Sequence, residues 1–230
     1  MRIDGLPLLV RVLRGAQPLA ALTLPQWELL VRQARRANLL ASLHAYAMSS
    51  GQLAAVPPAP LRHLQWAGVV ADKHLDAVRW EVRQIAHALA PSGVPVVLLK
   101  GAAYVMAGLP AADGRMFSDV DIMVPKARLG QIEGLLLRSG WIASHHDAYD
   151  QRYYRQWMHE LPPMQHLKRQ TVIDVHHAIL PETARLRPEP YKLLASTVPL
   201  TEGVRVFAPA DMVLHSAVHL FHEGEYHHGL

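Results

Sequence analysis

The stretch Ser118–Val124, SDVDIMV, places two carboxylates two residues apart inside an otherwise apolar run. Side chains alternate between the two faces of a β-strand, so Asp119 and Asp121 share one face and the residue between them points into a core. Two carboxylates this close repel each other, and folding alone supplies no reason to keep them. Mg²⁺ resolves the repulsion, because it takes oxygen ligands and is commonly held by one or two carboxylates together with substrate phosphates. The stretch therefore predicts a strand with a metal site on one face.

The other interpretation of these acids is an edge strand with solvated carboxylates, or a pair of turn caps. The apolar residues at 120 and from 122 to 124 argue against a fully exposed strand. Arg115 and Ser118 lie just upstream of the acids, and we expect both at the same site. The arginine suits either a carboxylate or a phosphate as its partner.

A second strand-like stretch, TVIDVHHAIL, carries a third acid. Alternation places Asp174 and His176 on one face of this strand. An acid in mid-strand among β-branched residues costs stability unless it is paired, bound to a metal or at a wet cleft. A salt bridge to an arginine is the plain alternative for Asp174. A structural role is the alternative for His176, which we otherwise expect to contact nucleotide or substrate.

Three acids from two strands fit two-metal phosphoryl chemistry. In that chemistry one metal activates the attacking oxygen, and the other holds the triphosphate and stabilises the leaving pyrophosphate. Lys100-Gly101 is predicted to join this site, because it lies between the apolar run VPVVLL and a short helical stretch. A glycine at such a junction lets a phosphate approach the backbone, and the helix N-terminus offers free N–H groups. A strand–Gly–helix turn is also common without any function, so this prediction depends on its neighbours.

The first ninety residues have helical patterns. TLPQWELL, from Thr23, has the capping-box spacing to Gln26 and an early proline, and its helical segment runs to Gly51. A longer helix is predicted from about 61 to 90. A short strand, a helix and the strand DVDIMV follow, then a helix ending at Gly140. The remaining predictions are a strand pair around 153–157 and 164–167, the strand TVIDVHH, the segment RVFAP and a helix from about 210 to 222.

The predicted class is therefore α+β, with a mixed β-sheet, flanking helices and an N-terminal helical region. We expect a helical region at 1–92, a catalytic domain at 93–208 and a C-terminal helix at 209–230. With 23 basic and 19 acidic residues, the formal charge of +4 permits an anionic substrate without demanding nucleic acid, which is not excluded. The oligomeric state is not indicated.

The chain has no cysteine, which excludes disulfides, thiolate zinc sites and a cysteine nucleophile. It shows no signal-peptide pattern and no apolar run of about 18 residues, so we expect a cytoplasmic protein without membrane partners.

Four stretches in order, LLKGAAYVMAG, GRMFSDVDIMV, VIDVHHAIL and FAPADMVLHSAVHLFHE, resemble the uncharacterised nucleotidyltransferase family of the DNA polymerase beta superfamily. The similarity runs from about Val94 to the C-terminus. It implies a nucleotidyltransferase-like mixed sheet with an NTP and Mg²⁺, or Mn²⁺, at the edge that carries the acids. It implies that Asp119 and Asp121 bind both metals, and that Asp174 binds the metal that activates the acceptor.

Two features depart from the wider pattern. Many superfamily members carry Gly-Ser where Lys100-Gly101 stands here, as it does in this family. The chain also stops at HHGL, where family members usually continue with more helix. We therefore expect a short form or a truncated chain, in which a lost segment would have carried part of the acceptor site.

The expected function is Mg²⁺-dependent transfer of a nucleoside monophosphate from an NTP to an acceptor, with release of pyrophosphate. The acceptor is a small molecule, a peptide, a protein or an RNA. A DxD glycosyltransferase is a second hypothesis, but it would need a longer doubly wound domain before the acids. A non-catalytic nucleotide-binding or antitoxin-like module is the third, and the presence of all three acids argues against it.

The C-terminal histidines are a separate feature. His215, His219 and His222 lie on one face of the last predicted helix, with His227 and His228 beyond it. This spacing suits zinc. There is no HExxH motif and no obvious acid behind the histidines, so a polar helix face is the preferred interpretation.

Overall fold

The computed structural model describes residues 5–143, 154, 157–201 and 203–223. These residues form eight α-helices and a seven-stranded mixed sheet, which confirms the predicted α+β class. The helices are α1 (Leu8–Leu13), α2 (Leu24–Arg36), α3 (Leu40–Ser49), α4 (Pro58–Leu89), α5 (Lys100–Met106), α6 (Leu129–Arg138), α7 (Pro190–Ala195) and α8 (Pro209–Glu223). The strands are β1 (Val96–Leu98), β2 (Asp119–Met123), β3 (Trp141–Ala143), β4 (Met164–His166), β5 (Val172–His176), β6 (Val198–Thr201) and β7 (Val204–Val206).

The described chain divides into two compact units. A helical unit contains residues 5–76 and 110–116, and a sheet unit contains the described residues of 77–109 and 117–223. The boundary between the units falls within α4. The domain limits expected at 92 and 208 stay a prediction. None of the described helices combines the length and the apolarity that crossing a bilayer demands.

The helical unit begins as its sequence predicts. The backbone N–H of Thr23 donates to Gln26 Oε1 at 2.9 Å, which confirms the capping box at the start of α2. The predicted single segment to Gly51 is wrong, because Asn38 takes a positive φ of 55° and separates α2 from α3. The two helices then fold back on a shared core, whose largest buried members are Leu19, Trp27, Leu30, Leu43 and Leu64.

The sheet unit is built on the strand order β3-β4-β5-β2-β1-β7-β6. β2 pairs with β5 and β1 pairs with β7 in parallel, and the other neighbouring strands are antiparallel. The mixed sheet that the chain order predicted is thus confirmed. The parallel pair of β2 and β5 lies near the middle of the sheet.

Two of the seven strands, β3 and β6, were not predicted, and β7 overlaps the segment RVFAP, which the sequence did not assign to a strand. β3 has three residues directly after α6, and β6 contains Pro199 and is mostly exposed, so neither has a clear alternating pattern. The predicted strand at 164–167 is β4, but it pairs with β3 and β5 rather than with a strand at 153–157. Residues 153, 155 and 156 lie outside the described residues, and Tyr154 and Trp157 are helical.

β2 is buried along most of its length. Ile122 is fully buried, and Met123, on the face of the two acids, is fully buried as well. Met123 packs in a second core cluster, with Val97, Leu99 and Phe207. The two carboxylates of β2 therefore lie in a strand that runs into the core, where an unpaired charge is costly.

Candidate active site

The parallel register of β2 and β5 brings the three predicted acids together. Asp121 is directly opposite Asp174, and Asp119 is opposite Val172. Directly opposite residues in neighbouring strands project from the same face, so all three carboxylates meet on one side of the sheet. One oxygen atom of each carboxylate lies within 4.8 Å of one oxygen of each of the other two.

Asp121 is the most deeply buried of the three acids, with only 3% of its surface exposed. Its Oδ1 accepts hydrogen bonds from Lys100 Nζ and from His176 Nε2, both at 2.9 Å. Burial acts to raise the pKa of Asp121, but the bond from His176 and the charge of Lys100 outweigh it and hold the pKa well below the usual range. Asp121 is therefore an ionised carboxylate at neutral pH.

The other two carboxyl groups are held less completely. Burial, followed by the charge of Asp121, raises the pKa of Asp119 and raises that of Asp174 to about 8. Oδ1 of Asp174 is buried and has no hydrogen-bond partner among the described residues. The three carboxylates thus repel one another, and their protein partners only partly relieve this repulsion. A cluster of buried oxygen donors is the ligand set that a hard divalent cation prefers.

Lys100 occupies a strained position at the start of α5. Its φ is 46°, in the left-handed region that a residue with a Cβ rarely adopts. Its ammonium contacts Asp121, so in this structure the lysine neutralises a carboxylate. The predicted contact of Lys100 with a phosphate stays a prediction.

Gly101 is buried for a reason that the sequence pattern did not reveal. A Cβ at this position would lie 2.8 Å from the ring of Phe117, which precedes the acidic strand by two residues. A side chain at 101 would displace that ring and disturb the entry into β2. The structure therefore gives Gly101 a packing role, and its predicted contact with a phosphate is not tested by it.

The remaining two predicted residues lie before β2. Ser118 is an exposed bend residue directly ahead of Asp119. Arg115 belongs to the helical unit, where its backbone N–H donates to the carbonyl of Ala112 at 3.1 Å. Their roles at the site stay predictions.

His176 is buried within the acidic cluster. Its Nε2 donates to Asp121, and its Nδ1 lies 3.1 Å from Oε2 of Glu160. Burial acts to lower the pKa of His176, but the bond and charge of Asp121, together with the charge of Glu160, raise it overall. Sequence reasoning missed Glu160 and the neighbouring His159, because they lie in a stretch without strand or helix periodicity.

The α8 histidines take no part in a described metal-capable cluster. In the described part of the chain the two such clusters are Asp119, Asp121 and Asp174, and His159, Glu160 and His176. His215 is buried against the ring of Phe207, and burial, with the charges of His176 and Lys100, lowers its pKa to about 3. His227 and His228 lie outside the described residues.

A comparison with protein families identifies a match over most of the chain. The model of a family described as uncharacterised nucleotidyltransferase covers residues 23–230. This confirms the resemblance seen in the four sequence stretches and extends it to α2, α3 and α4. No curated protein and no solved structure matches the chain significantly.

Proposed function

The chain belongs to this uncharacterised nucleotidyltransferase family, and on that premise we propose that it moves a nucleoside monophosphate from an NTP to an acceptor. The observation that carries the proposal is the meeting of Asp119, Asp121 and Asp174 on one face of a parallel strand pair. Folding gains nothing from three clustered carboxylates, whereas phosphoryl transfer needs them.

The three carboxylates fit Mg²⁺, or Mn²⁺ in its place. All the donors are oxygens, and the buried Oδ1 of Asp174 has no hydrogen-bond partner among the described residues. When bound, the cation neutralises the phosphates of the NTP and of the leaving pyrophosphate and makes the acceptor oxygen a better nucleophile.

The other residues position the acids. Lys100 and His176 hold Oδ1 of Asp121 from two directions and so fix the orientation of this carboxylate. The Lys100 side chain is 17% exposed, so an anionic ligand can reach the ammonium that rests on Asp121. Lys100 is therefore the residue that we assign to the triphosphate.

The transfer itself exchanges one phosphorus–oxygen bond for another. The acceptor oxygen forms a bond to the α-phosphorus, and the bond from that phosphorus to the bridging oxygen of pyrophosphate breaks. The acceptor loses a proton, which we assign to the carboxylate of Asp174. The acceptor is a hydroxyl or similar group on a small molecule, a peptide, a protein or an RNA.

The first experiment needs no acceptor. The melting temperature of the full chain is measured with each of the four NTPs and with UDP- and GDP-sugars, with and without Mg²⁺ or Mn²⁺. We expect an NTP together with the cation to raise it, and Asp174→Asn to remove the rise. A response to sugar nucleotides alone would instead support the glycosyltransferase hypothesis and overturn the proposal.

One observation favours a second function, that of a non-catalytic nucleotide-binding module. Lys100 and His176 both contact one oxygen of Asp121, and these contacts compete with a cation for that oxygen. Pyrophosphate release from the preferred NTP is then measured over a panel of acceptors. Turnover with any acceptor, abolished by Asp121→Asn, supports the transferase, whereas binding without turnover across the panel supports the module.

A further inference from the structure

A short segment outside the regular strands continues the sheet beside the end of β5. The backbone N–H of His177 donates to the carbonyl of His159 at 2.8 Å, and that of Leu161 donates to the carbonyl of Val175 at 2.9 Å. These two bonds flank Glu160 and His176, which form an antiparallel bridge. Such a flanked pair is the non-hydrogen-bonded type, in which opposite side chains approach most closely.

The pairing gathers three metal-binding side chains. One donor atom each from His159, Glu160 and His176 lies within 4.8 Å of the other two. The histidines are 6% and 2% exposed, so both imidazoles are withdrawn from water. This donor set has two nitrogens and one oxygen, unlike the all-oxygen set of the neighbouring aspartates, and such a set suits zinc rather than magnesium.

The contact between His176 and Glu160 does not have the geometry of a hydrogen bond. Nδ1 of His176 is buried and makes no hydrogen bond to any described residue, although Oε2 of Glu160 is only 3.1 Å away. Two ligands of a tetrahedral zinc ion, each bound at about 2.0–2.1 Å, lie about 3.3 Å apart. The observed separation is therefore close to that of two atoms that share a cation.

The opposite nitrogen of the same ring has the partner that a metal-bound histidine needs. Nε2 of His176 is 2.9 Å from Oδ1 of Asp121. Metal-binding histidines commonly donate their other N–H to a carboxylate, which fixes the ring and leaves the first nitrogen free for the metal. With zinc bound, the hydrogen bond to Asp121 would keep the proton on Nε2 and leave the lone pair of Nδ1 to the metal.

We propose that His159, Glu160 and His176 form a zinc site, distinct from the three aspartates, with Asp121 orienting His176 from behind. Three protein ligands leave a fourth position for water or another ligand. The zinc ties the segment around Glu160 to the end of β5. Through His176 it also holds the Asp121 carboxylate, so it acts as a positioning device for the aspartate cluster.

The test measures zinc directly, in the absence of any nucleotide. Because the aspartates are also proposed to bind cations, the test uses the full chain carrying both Asp119→Asn and Asp174→Asn, which we call the background protein. It is stripped with a chelator, reloaded with Zn²⁺ and desalted. We expect one zinc per chain by elemental analysis. Replacement by Co²⁺ should give visible d–d absorption bands.

Single changes in that background locate the ligands. Glu160→Gln and His159→Gln should each weaken zinc binding by at least about tenfold, since each removes a ligand. His222→Gln is the matched control, because this histidine is exposed on α8 and belongs to neither cluster, and it should bind zinc as the background does. Circular dichroism of each variant confirms that the fold is kept, and the two ligand variants provide independent readouts.

Two outcomes would overturn the site. One is a background protein that retains no zinc after desalting. The other is zinc binding of unchanged affinity in both Glu160→Gln and His159→Gln. Neither outcome bears on nucleotidyl transfer, which is measured separately by pyrophosphate release, so the two proposals fail independently.

Discussion

Two buried carboxylate sites in the sheet unit are held in opposite ways. Glu81, on α4, is 3% exposed, as Asp121 is. Arg169 donates to both oxygens of Glu81, at 2.9 and 2.8 Å, and Thr171 adds a third bond at 2.9 Å. The guanidinium also lies over the ring of Trp141, 4.6 Å from its centroid. Glu81 is thus fully paired by the protein itself.

The aspartate cluster has no comparable pairing. Of the three aspartates, the structure describes only Asp121 in contact with basic side chains, those of Lys100 and His176, and Oδ1 of Asp174 has no hydrogen-bond partner among the described residues. The comparison teaches that equal burial does not imply an equal role. A closed carboxylate–guanidinium pair serves the fold, whereas an incompletely satisfied acid cluster costs stability and indicates a functional site.

The largest expected effect is on the closed pair. Glu81→Gln should lower the free energy of unfolding by about 3–5 kcal/mol, because it leaves the partly buried charge of Arg169 without its partner. Urea denaturation measures the loss. Asp174→Asn, in metal-free buffer, should change stability by less than about 1 kcal/mol or raise it, since a neutral amide replaces a carboxyl whose ionised form the buried cluster disfavours. Equal losses in the two variants would contradict the distinction between the sites.

The next effect separates the sites by activity. Asp121→Asn should reduce pyrophosphate release by about 10²–10³-fold or more, because it removes a charge from the centre of the acid cluster. Glu81→Gln, assayed at a temperature where it is folded, should keep turnover per folded molecule within a few-fold of the parent. Comparable loss in both variants would mean that the aspartates have no special catalytic role.

A smaller effect concerns His215, a buried histidine on α8. The folded pKa of His215 is about 3, set by burial and then by the charges of His176 and Lys100, against a weaker opposing effect of Asp121. The ordinary value for the unfolded chain is about 6.5. A lowered histidine pKa contributes stability that is present above pH 6.5 and is lost as the pH falls toward 3.

Between pH 7 and pH 4.5, this histidine alone should remove about 2–3 kcal/mol of unfolding free energy. His215→Gln cannot be protonated in this range, so its loss should be smaller than that of the parent by about that amount. Urea denaturation at the two pH values, without metal, provides the comparison. Parallel losses in parent and variant would show that His215 is not buried in its neutral form.

The smallest effect is the response to the cation alone. At a concentration ten times its dissociation constant, Mg²⁺ should stabilise the parent by about 1.4 kcal/mol. Glu81→Gln should keep this increment, because its site has no place for a cation, and Asp174→Asn should lose most of it. Thermal denaturation with and without Mg²⁺ measures both. An increment that survives Asp174→Asn would place the magnesium elsewhere.

Much of the acid site was predictable, and most of its surroundings were not. β2 and β5 were predicted as strands because each is an apolar run in which polar residues alternate, Asp119 and Asp121 in β2 and Asp174 and His176 in β5. The packing of Phe117 on Gly101 had no sequence signal, since a strand–Gly–helix turn looks the same whatever covers the glycine. Glu81 and Arg169 are 88 residues apart, and neither stands out within its own segment.

The sequence by itself determined which face of each strand the aspartates occupy, because alternation is a local property of an extended backbone. Only the tertiary structure decided that Asp174 lies opposite Asp121 and that Glu160 meets His176, since register and bridging depend on which distant segments are buried against each other. Long-range packing also distinguishes Glu81, which an arginine neutralises, from the three clustered aspartates. Composition reveals that a carboxylate is present, but only long-range packing decides whether an arginine or a cation must neutralise it.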